Sequence, residues 1–218
     1  MSDFSEDLHN YITRQLSALD LLKETEPSTP ADQPEVIRRL KIALKNELEA
    51  SELAALWMPS TPEIDVKLAL ARQAGDEAKH YRLIEKRLQT MGATLSGFNP
   101  VADGYGPMFQ LLTSFHTTVE RVAGAQLARE SLALKKNEQF IEFCERAGDH
   151  ETVALYRDEI QPDEQWHVDL GRRVLQTYAK TSVLQEQARK AAQAVLDLAV
   201  KIQKKQLVEM KVSHAPGC

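Results

Sequence analysis

The chain has 218 residues, 43% hydrophobic and 27% charged, a balance that excludes a disordered or membrane-embedded protein. Its 27 basic and 32 acidic side chains leave a net charge of −5, which argues against nucleic acid as a partner. The two cysteines, Cys144 and Cys218, cannot build a disulfide framework or a four-Cys iron or zinc site. The N-terminus is acidic, unlike a signal peptide, and no apolar run is long enough to span a membrane, so a cytoplasmic protein is expected.

Apolar residues at helical spacing predict a first helix over about 4–23, carried by Phe4, Leu8, Tyr11, Ile12, Leu16 and Leu19. A linker with Pro27, Pro30 and Pro34 follows. The second helix is predicted from about Glu35 to Met58, and the third opens at Thr61-Pro62, a cap followed by proline, and runs toward Met91. Residues 92–107 carry four glycines and two prolines and read as a crossover along a bundle. Pro107 opens a helix to about Ala147, Gly148 breaks it, and Asp149 caps the next, which reaches about Lys180. A last helix covers about 181–212. Its Lys201, Lys204, Lys205 and Lys211 read as a solvated face around Val195, Leu198, Ile202 and Val208. The prediction is one all-α domain over 1–218: a four-helix bundle over about 35–180, with flanking helices over about 4–23 and 181–212.

Two segments share the pattern Asp-Glu-x-x-His: Asp76-Glu77-x-x-His80 and Asp163-Glu164-x-x-His167. Glu and His three apart lie on one helical face and can reach one metal ion. The preceding Asp, one turn before its own His, is placed to accept that ring's free N–H and fix the tautomer. Glu-x-x-His alone is a common chance pairing, and Glu6…His9 is such a case. Context makes the other two distinctive. Glu47 lies 30 residues before Glu77, in the middle of the stripe Val36, Leu40, Ala43, Leu44, Ala50, Ala54 and Met58, whereas Glu49 and Glu52 point away from it. A carboxylate on an apolar face is costly unless it is paired or metal-bound. In the second half, Glu130 sits centrally in the stripe Leu112, Val119, Ala123, Leu127, Leu134 and Ile141, with Glu120 toward its edge as the reserve candidate.

Other residues carry two readings each. Tyr81, Tyr156 and Tyr178 line a pocket or, more commonly for such residues, pack in the core; Tyr81 is the candidate catalytic residue beyond the metal ligands. Arg157 is an inward partner for a carboxylate or an interface Arg. Pro162 kinks a helix beside Glu164 or marks a new helix start. His116, at a stripe edge, approaches the site or, as is more common, is a partly buried non-ligand His, and Gly124 and Gly171 leave room for a ligand or, by default, allow close helix packing.

Glu47, Glu77-x-x-His80, Glu130 and Glu164-x-x-His167, with a long crossover between the halves, resemble the ferritin-like di-iron carboxylate superfamily, which includes bacterioferritin, rubrerythrin and the small-molecule oxygenases. The resemblance covers about 35–180. It implies that Glu47, Glu77 and His80 serve largely one metal and Glu130, Glu164 and His167 the other, with Glu77 and Glu164 bridging and Asp76 and Asp163 behind the histidines. It further implies two iron ions, or an iron–manganese or manganese pair, a homodimer, an electron donor, and an O2-using oxidoreductase acting on a small organic substrate. A ferroxidase, iron-handling or peroxide-detoxifying protein and a tRNA-modifying hydroxylase are the alternatives. Two bound divalent ions would offset most of the −5 charge, which weakens the case against RNA.

Overall fold

The computed structural model describes residues 3–20, 32–210 and 216–217. The predicted end of the first helix (21–23), Pro27, Pro30, Lys211, Val212 and Cys218 lie outside the described residues. Among those described, all regular structure is helical and there is no strand. No helix of the described chain is long and apolar enough to cross a membrane.

The helices are α1 (Phe4–Asp20), α2 (Gln33–Trp57), α3 (Ile64–Thr90), α4 (Pro107–Thr113), α5 (Thr118–Val122), α6 (Glu130–Arg146), α7 (His150–Ala154), α8 (Gln161–Tyr178) and α9 (Ser182–Met210). Two π-helical stretches complete the series: π1 (Ala123–Arg129) leads into α6, and π2 (Leu155–Ile160) leads into α8. The chain forms two compact units of interleaved segments. One comprises Met1–Pro27, Pro107–Lys135 and Glu164–Ser213; the other comprises Ser28–Gly106, Lys136–Asp163 and His214–Cys218. The division falls within α6, after Lys135, and within α8, after Asp163.

In the second unit, α2 begins at Asp32, whose side chain accepts the Glu35 N–H at 2.9 Å, with Pro34 in the first turn. Helices α2 and α3 pack along one another. The predicted Thr61 cap is corrected: α3 starts after Glu63, and buried Thr61 instead donates its hydroxyl to the Trp57 carbonyl, closing the end of α2. Val36, Leu40, Leu44, Ile84, Leu88, Phe140, Tyr156 and Ile160 form one apolar cluster. Each fully buried Leu or Ile there contributes about 1.5–3 kcal/mol. The Arg39 guanidinium is buried in this region over the Phe143 ring, 3.9 Å from its centroid, and is bonded to Glu35 at 2.9 Å.

In the first unit, α9 packs against α1, α4, α5 and π1. Leu8, Ile12, Leu127, Ala192 and Val195 are among its buried apolar residues. Gly171 of α8 lies so close to π1 that a Cβ there would stand 3.1 Å from the backbone of Gln126 and Leu127, so small size is what this crossing requires.

The helix predicted as continuous from Pro107 to Ala147 is broken. It stops at Thr113, and α5 starts afresh at a capping box: Thr117 accepts the Glu120 N–H at 3.3 Å and Glu120 accepts the Thr117 N–H at 2.9 Å. The stretch predicted as one helix from Asp149 is likewise interrupted by π2, and Pro162 is the second residue of α8, which follows that interruption.

Candidate metal centre

The middle of α2 and the middle of α3 supply the first ligand set. Glu47 sits where the α2 stripe turns inward, and Glu77 and His80 share one face of α3. All three are buried, with at most 2% of their surface exposed. Each offers a donor atom, and these atoms lie within 4.8 Å of one another. Nδ1 of His80 is 3.3 Å from Oε2 of Glu47 and 3.3 Å from Oε2 of Glu77. Among the described residues, Oε1 of Glu47 is buried without a hydrogen-bond partner. An orphaned carboxylate oxygen inside the protein is costly. It is the feature a cation would relieve.

Two further polar residues hold this set. Nε2 of His80 lies 3.2 Å from Oδ2 of Asp163, which also accepts from Nζ of Lys79 at 2.9 Å. An ionised Asp163 fixes the His80 proton on Nε2 and leaves Nδ1 to face Glu47 and Glu77. Burial works against ionisation of Asp163, but the bonds from Lys79 and His80 outweigh it and hold its carboxyl below the usual range. Buried Gln73, which the sequence reading missed, donates to Oε1 of Glu77 at 3.4 Å. Its signal was a Gln one turn before the ligand on the same face of α3.

The other unit holds a second set. Glu130 opens α6 directly after π1, and Glu164 and His167 share a face of α8. Their donor atoms also lie within 4.8 Å of one another, and all three are buried. Nδ1 of His167 is 3.3 Å from Oε2 of Glu164. Arg129, itself buried, is 3.5 Å from Glu130.

The remaining predicted residues are engaged as follows. Glu120 is engaged by its cap: its carboxylate takes the Thr117 N–H and hydroxyl, and these bonds outweigh burial to hold it below the usual carboxylate range. Asp163 serves His80 and not, as predicted, the His one turn ahead on its own helix. Asp76 accepts from Nε of Arg72 at 3.2 Å, one turn earlier on α3. Tyr81 packs against the apolar cluster of its unit with Arg82 over its ring, and burial raises its phenol. Tyr156 is fully buried edge-on to Phe140. Arg157 is corrected from an inward position: it is exposed and paired with Glu145 at 2.7 Å. Glu49, expected to face away from the α2 stripe, is buried and accepts the Gly106 N–H at 2.7 Å, anchoring the end of the crossover.

Fold and site together define an all-helical protein that carries a buried set of two carboxylates and one imidazole in each of two units. Within that class, the chain belongs to the family described as protein of unknown function (DUF455), whose family model matches residues 22–209. No curated protein and no solved structure matches it.

Proposed function

We propose that the two ligand sets hold a pair of iron or manganese ions and that the protein is a non-haem oxidoreductase using O2 to oxidise or hydroxylate a small organic substrate. The observation that carries the metal assignment is the orphaned Oε1 of Glu47, buried beside a second carboxylate and an imidazole. Oxygen and imidazole donors without thiolates suit iron or manganese. The ferritin-like arrangement rests on the resemblance of the six ligand positions, with Glu47, Glu77 and His80 holding one ion and Glu130, Glu164 and His167 the other.

The bound metals would supply O2 activation and the electron transfer. The protein contributes the rest. Asp163 keeps a proton on Nε2 of His80, so that Nδ1 is the donor. Gln73 steadies Glu77, and Arg129 offsets part of the charge of Glu130. Burial of all six donors excludes water and strengthens their hold on a cation.

The test is reconstitution with Fe(II) or Mn(II), then metal analysis and O2-consumption assays with and without small organic substrates. About two ions per chain are expected, lost in Glu47→Ala. A wild type that retains less than about one ion, no different from Glu47→Ala, overturns the metal assignment. Iron-stimulated O2 uptake without an organic substrate, in a large multi-subunit shell, would make the protein a ferroxidase instead.

A further inference from the structure

We propose that the Pro216–Gly217 segment caps the Glu47 side of the metal centre and sets the rate at which its ion exchanges with solvent. This rests on the metal assignment above. Both residues are buried, and two hydrogen bonds tie them down. Nδ2 of Asn46 donates to the Pro216 carbonyl at 3.0 Å, and the Gly217 N–H donates to Oδ1 of fully buried Asn137 at 2.8 Å. Asn46 directly precedes the ligand Glu47 on α2. Asn137 stands on α6, and its own amide donates to Oε1 of Gln161 at 3.3 Å. The segment is thus bonded to α2 next to a metal ligand and to α6.

The approach leaves little room for a side chain. Gly217 has φ +76°, and a Cβ there would lie 3.2 Å from Oε1 of Glu47 and 3.1 Å from Cβ of Asn46. Only glycine meets both the left-handed backbone and that contact without strain. Oε1 of Glu47 is buried and has no hydrogen-bond partner among the described residues, so Gly217 covers it without satisfying it. The one N–H that Gly217 offers goes to Asn137. A segment that served packing alone would gain by donating to Glu47. Covering the oxygen while leaving its lone pairs open shields it from water and keeps it available to a cation. The hydrogen bonds to Asn46 and Asn137 are a small anchor beside the stability of the whole fold, so the cap opens more often than the fold does.

The experiment compares the wild type with Asn137→Ala, Gly217→Ala and a deletion of residues 216–218. Protein loaded with Mn(II) or Co(II) is mixed with excess chelator, and the rate of metal loss is followed. Folding is checked by helical circular dichroism, and protection of the Gly217 amide by hydrogen exchange in the chains that retain it. The expected result is metal loss about tenfold or more faster in the variants, at unchanged initial metal content. Metal loss at the wild-type rate from folded variants would overturn the cap. If the wild type takes up no metal, the metal assignment fails separately, and hydrogen exchange decides the cap. Protection of the wild-type Gly217 amide that is lost in Asn137→Ala supports it, and an unprotected wild-type amide overturns it.

Discussion

Asp163 holds His80, a histidine 83 residues earlier in the chain, through an Nε2–Oδ2 approach of 3.2 Å. The same carboxylate oxygen takes the Lys79 ammonium, while Arg72 stands 3.9 Å from the other oxygen. The acid of the second Asp-Glu-x-x-His pattern therefore orients the histidine of the first. Removing it frees the His80 ring to rotate and to move its proton onto Nδ1, the nitrogen that faces Glu47 and Glu77. Asp163→Ala is expected to weaken metal binding about 10- to 100-fold, measured by competition against a chelator of known affinity. Lys79→Ala, which leaves the Asp163–His80 contact in place, is expected to change it much less.

Proton competition at the first ligand set gives a second prediction. Burial, reinforced by the neighbouring Glu77 charge and opposed by the His80 bond, pushes the Glu47 carboxyl up to about 7. Burial alone would lower His80, but its bonds to Glu47 and Glu77 outweigh it and raise the ring to about 12. A cation entering here must displace the His80 proton and, below about pH 7, a Glu47 proton as well. Metal affinity should rise with pH, and more protons should be released per ion at acidic than at neutral pH. Calorimetry in buffers of different ionisation enthalpy counts those protons, and a pH-independent affinity would contradict the assignment of Glu47 as a ligand. The metal-free protein should behave in the opposite sense. Glu47 has a raised folded pKa, so its contribution to stability is full below its ordinary value of 4.5 and is lost as pH rises through about 7.

Which parts of this arrangement the sequence made legible follows from the range of the forces involved. Glu47 stood out because a straight helix keeps its phase, and a carboxylate amid Leu40, Ala43 and Leu44 breaks the stripe visibly. Glu77 and His80 were legible for the same local reason. The choice of Glu130 over Glu120 was legible only in part, because π1 lies between them. A π-turn carries more residues than an α-turn, so angular positions counted at a constant 100° per residue drift across it. The capping box Thr117-x-x-Glu120 was the available signal that Glu120 belongs to a separate helix start. Asp163 was misassigned because its partner lies on another helix, and no spacing rule reports that. The Pro216–Gly217 contacts with Asn46 and Asn137 are equally long-range.

The pair at the start of α2 predicts the acid limit of the fold. Burial would raise the Glu35 carboxyl, but its bonds from Arg38 and Arg39 hold it below the usual range. A depressed carboxylate contributes stability above its unfolded value of 4.5, and the contribution is lost as pH falls through the lower folded pKa. Arg39 is 1% exposed, so neutralising its carboxylate weakens the compensation of a buried charge. Glu35→Gln is expected to cost about 3 kcal/mol at neutral pH and to flatten the acid limb of a pH–stability curve measured by urea unfolding. An unchanged acid limb would show that Glu35 does not govern it.

Glu120 and Glu130 provide the sharpest separation of stability from metal binding, because they lie on helical stretches separated only by π1 and do different work. Glu120 closes a cap at the surface end of α5, so Glu120→Ala should cost about 0.5–2 kcal/mol while metal content stays at the wild-type level. Glu130 is buried with Glu164 and His167, and Arg129 beside it is also buried. Glu130→Gln keeps the volume and removes the charge. The second ion should then be lost, and the rise in melting temperature on metal addition should shrink with it, since a ligand stabilises only the form that binds it. Metal analysis and thermal melts with and without Mn(II) read both effects. If Glu120→Ala lost metal while Glu130→Gln retained it, the assignment of the second ligand set would have to be reversed.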